Sequence, residues 1–171
     1  DSSAVLAYYL RLDYSVKALF IDYGQASIKQ EFKAAKSISN YYRIPLLKLK
    51  AEFFRSFNEG EILGRNAFFI FAALLMNQQR PYMIAIGIHS GSPYYDCSVN
   101  FIKYVQAILD GYSCGSVKII SPFINWDKVM IWEFCKKFNV PIELTYSCER
   151  GESHPCMECL SCKEREALNA L

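Results

Sequence analysis

Four cysteines near the C-terminus, Cys148, Cys156, Cys159 and Cys162, are spaced C-x7-C-x2-C-x2-C. The two-residue spacers let neighbouring sulfurs converge on one ion, and four thiolates complete a tetrahedron with no open position. That is the ligand chemistry of one structural zinc ion. Reduced, unliganded thiols or an iron–sulfur cluster would use the same residue type. The chain has seven cysteines in all. Cys97, Cys114 and Cys135 are scattered through apolar segments and read as core or surface thiols. A disulfide framework suits a much smaller secreted domain, so the cysteines argue for a cytoplasmic protein.

A second set of residues could bind phosphates, a base or a carboxylate. Asp1-Ser2-Ser3 opens a helix-like stretch. Backbone N–H groups and the positive end of a helix dipole favour phosphate at such a start. Ser2 and Ser3 could add hydroxyl donors, and Asp1 could hold magnesium; simple N-capping uses the same residues. Asp22-Tyr23-Gly24-Gln25 closes a β-rich run. Gly24 permits a tight turn and Gln25 can offer its amide to a purine edge or a carboxylate, although a bare strand–turn–helix junction would read alike. Arg65 and Asn66 open an apolar helix, where Arg gives a forked donor for phosphate or carboxylate; a surface Arg with an Asn cap is the plain alternative. Gly87 and His89 follow the most apolar strand, and His89 reads as ligand-facing or structural. Asp96, beside Cys97, could pair with a guanine-like N–H edge. Lys128 stands at a helix start, where a solvated surface lysine is the plain reading.

The elements that must position these residues alternate. Helical spacing of apolar residues predicts helices over 3–12, 25–42, 66–79, 98–109 and 126–138. Short β-rich runs predict strands over 16–23, 46–49, 82–88 and 117–120. Residues 51–57 are ambiguous and 58–61 read as a loop. The order α-β-α-β-α-β-α-β-α predicts an α/β fold, a doubly wound parallel sheet covered on both faces. Ligands in such folds bind beyond the carboxyl ends of the strands. Asp22, Gln25, Arg65, Asn66, His89 and Asp96 are therefore expected to line one cleft. No strand precedes the first helix, which predicts a natural N-terminal extension of about 10 residues or more, carrying a strand.

With 171 residues the chain suits one domain with a small appendage. Apolar residues make up 52% and charged residues 21%, which excludes disordered and collagenous classes. A formal charge of +2 gives no argument for nucleic acid. The longest apolar run, residues 67–76, is about half the ~20 residues of a membrane helix, so no membrane partner is expected. No secretory signal opens the sequence.

Taken together, these motifs resemble the 7-cyano-7-deazaguanine synthase (QueC) family of the PP-loop ATP pyrophosphatase superfamily, over nearly the whole chain. Asp1-Ser2-Ser3 matches the end of the family's Ser-Gly-Gly-x-Asp-Ser, and Ile21-Asp22-Tyr23-Gly24-Gln25 its Phe-Asp-Tyr-Gly-Gln. Leu63-Gly64-Arg65-Asn66 matches Pro-Gly-Arg-Asn, and Asp96-Cys97 with Phe101 matches Asp-Cys and a helical Phe. Thr145, Ser147, Cys148, Cys156, Cys159 and Cys162 match the family's C-terminal cysteine motif. Two departures stand out: His89 where the family has Asn, and Ser98-Val99 where it has Arg-Pro.

The resemblance implies a PP-loop domain over 1–144, an adenine nucleotide alpha hydrolase-like fold, and a zinc-binding tail over 145–171. The Ser-Gly-Gly-x would end just before Asp1. ATP with Mg2+ would meet Asp1, Ser2, Ser3, Asp22, Tyr23, Gly24, Gln25, Arg65, Asn66 and Gly87. Substrate would meet Gln25, His89 and Asp96, and Lys128 and Asp1 would take part in catalysis. The implied reaction is ATP-dependent conversion of 7-carboxy-7-deazaguanine and ammonia to the nitrile. The partners are then a deazaguanine acid and an amine donor, with a homodimer as the candidate assembly. The departures motivate two alternatives: an amide ligase acting on another amine, such as a protein acceptor, or a zinc-stapled binding module.

Overall fold

A computed structural model describes residues 1–53, 57, 60–79, 81–89 and 91–168. The loop expected at 58–61 and the ambiguous stretch 51–57 therefore lie partly outside the described residues. Six α-helices and four strands alternate along these residues: α1 (Ser2–Leu10), β1 (Ala18–Asp22), α2 (Ile28–Tyr42), β2 (Leu46–Lys50), α3 (Arg65–Met76), β3 (Tyr82–Ala85), α4 (Val99–Ser113), β4 (Val117–Ile120), α5 (Lys128–Lys137) and α6 (Leu160–Ala167). The chain divides into two compact units: Asp1–Tyr8 with Leu63–Phe134, and Tyr9–Ile62 with Cys135–Leu171.

In the first unit, β3 and β4 pair in parallel, from Tyr82 opposite Val117 to Ala85 opposite Ile120. A parallel pair needs a long crossover, and α4 lies within it. Phe101, Val105 and Leu109 recur every four residues, so they share one helix face. They are buried with Ile70, Ile84, Ile88, Val117 and Ile119 in one core. The Ser98 hydroxyl caps α4 by accepting from the Phe101 N–H at 3.1 Å. Gln106 on α4 accepts from the Ile119 N–H at 2.8 Å and donates to the Val117 carbonyl at 3.1 Å, so a side chain completes backbone hydrogen bonds of β4. Tyr8, Phe123, Trp126 and Phe134 form a separate aromatic cluster.

In the second unit, β1 and β2 pair in parallel, from Ala18 opposite Leu46 to Asp22 opposite Lys50, with α2 in the crossover. Arg43 ends α2 in the left-handed region at φ 55°. Cys148, Cys159 and Cys162 form a buried cluster with Tyr146 and Cys156 against it.

The α/β alternation and the parallel pairing agree with the sequence. Among the described residues the strands form two two-stranded sheets, β1–β2 and β3–β4. Met83 and Ala85 of β3 are exposed, as are Leu47, Lys48 and Lys50 of β2. Strand β3 stops at Ala85 rather than at residue 88, because after the Ile86 N–H bonds the Ile120 carbonyl at 3.0 Å the chain leaves the ladder. Among the described residues, no helix is long and apolar enough to cross a membrane.

Candidate functional site

The start of α1 and the exit of β3 meet in the first unit. A Cβ added to Gly87 would lie 3.0 Å from the Ser2 nitrogen and 3.1 Å from the Asp1 carbonyl carbon. A side chain there would force the two backbones apart, so the missing Cβ is what permits this approach. Asp1 stands just before α1, its carbonyl accepting the Val5 N–H at 3.0 Å. Its Oδ2 lies 2.8 Å from Lys128 Nζ and 3.6 Å from His89 Nε2. His89 is buried, while Asp1 and Lys128 keep about a quarter to a third of their side-chain exposure. Asp127 fixes the entry to α5, its Oδ1 accepting the Met130 N–H at 2.8 Å. Ser2 is exposed and Ser3 half-buried on the first turn of α1.

A second group gathers at the start of α3. The Asn66 N–H donates to Asp96 Oδ2 at 3.4 Å, and its side-chain amide to the Asp96 carbonyl at 3.3 Å. These bonds tie α3 to a short 3-10 turn at Tyr95–Cys97. Burial raises the Cys97 thiol above its ordinary range; a Ser92 hydrogen bond and the Arg65 charge oppose that shift. Arg65 Nε is buried without a hydrogen-bond partner among the described residues. A buried, unpaired donor is costly, and an anionic ligand would satisfy it.

The second unit holds the turn after β1. Gln25 is buried, and its amide is committed to the loop. Oε1 accepts the Tyr23 N–H at 3.0 Å, and Nε2 donates to the Ile21 carbonyl at 3.2 Å and to Glu31 Oε2 at 2.9 Å. Glu31 Oε1 accepts from the Ser27 hydroxyl at 2.6 Å. This consumes residues 25–27 and explains why α2 begins at Ile28 rather than at 25. Gly24 adopts φ 82°, the region only glycine enters cheaply. Asp22 pairs with Lys48 at 3.4 Å. The six residues expected to line one cleft thus divide: Asp22 and Gln25 belong to one unit, Arg65, Asn66, His89 and Asp96 to the other.

The four cysteines come together as their spacing predicts. The ligand sulfurs of Cys148, Cys156, Cys159 and Cys162 all lie within 4.8 Å of one another. Zn–S bonds of about 2.3 Å in a tetrahedron place sulfurs about 3.8 Å apart, and Cys156 Sγ is 3.9 Å from Cys162 Sγ. All seven cysteines are free thiols. Burial works against a Cys148 thiolate, but the backbone N–H groups of Cys156 and Arg150, with the Cys156 and Tyr146 side chains, together outweigh it and lower the thiol to about 7. Burial and the neighbouring Cys159 and Cys148 thiols push Cys162 up to about 12. The donor set fits a metal ion such as zinc.

Sequence reasoning missed Glu31, which holds Gln25, Ser27, which holds Glu31, and Glu149 and Gly151, which follow the first cysteine of the cluster. Ser27 with Gln30 three residues on fits the S-x-x-Q pattern of a helix start, but the Ser27 side chain caps no backbone N–H and bonds Glu31 instead. Nothing in the sequence distinguishes Glu149 from any other surface acid.

Two parallel strand pairs with helices in their crossovers and a four-cysteine cluster make an α/β protein consistent with a PP-loop-type fold. The chain belongs to the QueC family: the family described as queuosine biosynthesis protein QueC matches residues 1–67 and 61–170. It is 34% identical over 111 residues to a 7-cyano-7-deazaguanine synthase of Prochlorococcus marinus (strain NATL2A), covering 60% of this chain and 49% of that protein. It is 31% identical over 194 positions to the synthase of Campylobacter concisus (strain 13826), covering 96% of this chain and 87% of that one. With the synthase of Thermoplasma volcanium it shares 30% over 195 positions, covering 96% and 80%. Against the Prochlorococcus relatives the chain spans about half their length. The 194 aligned positions exceed the 171 residues of this chain, so the Campylobacter protein carries residues with no counterpart here. The two matched stretches overlap at residues 61–67, which run into the first turn of α3.

Proposed function

We propose that the protein is an ATP-dependent carbon–nitrogen ligase converting 7-carboxy-7-deazaguanine and ammonia to 7-cyano-7-deazaguanine, a step of queuosine biosynthesis in the cytoplasm. The observation that carries this reading is the meeting of Asp1, His89 and Lys128 beside the Gly87 backbone, in a chain whose relatives are named for that synthesis. On this reading 1–144 is a PP-loop-type, doubly wound domain and 145–171 its zinc-binding tail.

A carboxylate resists ammonia because its oxygen is a poor leaving group. Attack of the carboxylate on the α-phosphorus of ATP expels pyrophosphate and makes AMP the leaving group. Ammonia displaces AMP to give the amide, and a second adenylation of the amide oxygen allows loss of AMP and protons to the nitrile. The protein supplies position and charge rather than a nucleophile. Lys128 would meet phosphate oxygens, and the backbone of Ser2, Ser3 and Gly87 would approach them closely. Magnesium, bound with ATP, would find its carboxylate ligand in Asp1 and supply charge neutralisation. Residues 22–25 would contact the nucleotide, with the Gln25 amide holding the turn in shape. Arg65 and Asn66 would meet an anionic group of the ligands, and His89 and Asp96 the deazaguanine. The tail residues Cys148, Cys156, Cys159 and Cys162 would hold one structural zinc, which supplies folding energy.

Incubation with ATP and the deazaguanine acid, with and without ammonia, followed by mass spectrometry, tests the reading. Nitrile formed only with ammonia and ATP supports it. Amide as the end product, or no turnover, overturns it.

A further inference from the structure

The four-cysteine tail touches the turn after β1 through two residues that ligate nothing. Gly151 adopts φ 77°. A Cβ added there would lie 2.3 Å from the Ala26 carbonyl oxygen and 3.0 Å from Ser27 Cα. Backbone therefore rests directly on backbone at the entry to α2. On the same turn, the Ala26 N–H donates to the Phe57 carbonyl at 3.0 Å, and the Phe57 N–H to the Gly24 carbonyl at 3.1 Å. The tail also grips the segment that follows: Glu149 Oε2 accepts the Gly60 N–H at 3.0 Å. The other oxygen, Oε1, accepts from the Ser161 N–H at 3.3 Å and its hydroxyl at 2.8 Å, at the start of α6. Residues 24–27 are thus held between Phe57 and Gly151, and Glu149 ties Gly60 to Ser161 at the cysteine knuckle.

We propose that the knuckle works as a clamp on the turn at residues 22–27, with Gly151 and Glu149 as its positioning residues. This rests on the reading of residues 22–25 as a nucleotide contact. Cys148, whose place the metal would fix, lies one residue from Glu149 and three from Gly151. Metal binding thereby becomes a condition for the shape of a loop whose own side chains, Gln25, Ser27 and Glu31, already hold it from within.

Amide hydrogen exchange on the zinc-bound protein tests the clamp without needing turnover. Gly151→Ala pushes a methyl group into the Ala26 carbonyl; Glu149→Ala removes both hydrogen-bond anchors while leaving Gly151 in place. With one zinc retained, each should raise exchange in peptides covering 22–31 by about tenfold or more. Peptides covering α4 should be unchanged, and ATP affinity should weaken several-fold. Wild-type exchange at 22–31 in a zinc-bound variant overturns the proposal. If Gly151→Ala loses zinc or unfolds, Glu149→Ala alone decides by the same readout. If the wild-type protein binds no ATP, the nucleotide reading fails, and exchange still decides the clamp.

Discussion

Asp1 shares one oxygen between two nitrogen-bearing side chains from different elements, Lys128 at 2.8 Å and His89 at 3.6 Å. Such a contact orients the lysine ammonium rather than leaving it to sample solvent. When phosphate charge develops nearby, a preplaced cation costs little reorganisation. Lys128→Met is expected to lower kcat by about 10²–10³-fold, the usual effect of deleting one preorganised electrostatic partner, with a smaller change in KM for the deazaguanine acid. Pyrophosphate release measured under saturating substrates checks this; a loss under about threefold would contradict the role. Gly87→Ala tests the neighbouring contact. A methyl group 3.0 Å from the Ser2 nitrogen must move the start of α1. The expected outcome is a KM for ATP raised several-fold at nearly constant stability, read by kinetics beside a thermal melt. At this scale the candidate residues stand out in the sequence by type and spacing, but their partners do not. His89 and Lys128 are 39 residues apart in sequence, and no local pattern announces that they share Asp1. Gln25 shows the converse. Its type suggested a ligand contact, whereas its amide is consumed by Tyr23, Ile21 and Glu31.

Elements were read best where packing and local signals agree. Strand β4 occupies the run Val117–Ile120 that its β-rich sequence indicates. Helix α4 runs to Ser113, past the expected end at 109, because the Ser113 hydroxyl donates to the Leu109 carbonyl at 2.7 Å and accepts from the Val117 N–H at 3.2 Å. That side chain carries the helix through Gly111 and finishes it, a tertiary device that periodicity cannot show. Helix α6 escaped detection: its sequence LSCKEREA is polar, and its buried residue is the metal-ligand candidate Cys162. At the other end of α4, Ser98→Ala removes the N-cap and should cost about 1 kcal/mol, measurable as a lower urea midpoint at unchanged m-value. The cysteine knuckle makes a pH-dependent prediction. A metal requires thiolates; the Cys148 thiol is lowered to about 7 and Cys162 raised to about 12. Protons therefore compete more strongly as pH falls, and zinc retention should drop as pH passes below about 7. Zinc release followed with a chromogenic chelator checks the sign. Chelation at neutral pH should also loosen α6 and residues 146–162; retention that is independent of pH would contradict the assignment.

Over the whole molecule, the two parallel pairs each enclose a crossover helix, α2 in one unit and α4 in the other. The order of elements was legible because each helix and strand carries its own apolar period. Their assembly into two separate pairs was not, because strand neighbours are chosen by packing between distant segments. Family membership was legible in five short motifs in the right order, none of them decisive alone. The Campylobacter and Thermoplasma alignments, each covering 96% of this chain, join those motifs into one relationship. The central claim is that carbon–nitrogen bond formation proceeds through an adenylated carboxylate. It is tested most directly by supplying the deazaguanine acid with both carboxylate oxygens labelled as 18O, together with ATP and ammonia, and analysing the AMP formed. The account predicts two AMP molecules per nitrile, each carrying one 18O, since each adenylation hands one substrate oxygen to phosphorus. Unlabelled AMP, or ADP in its place, would contradict it.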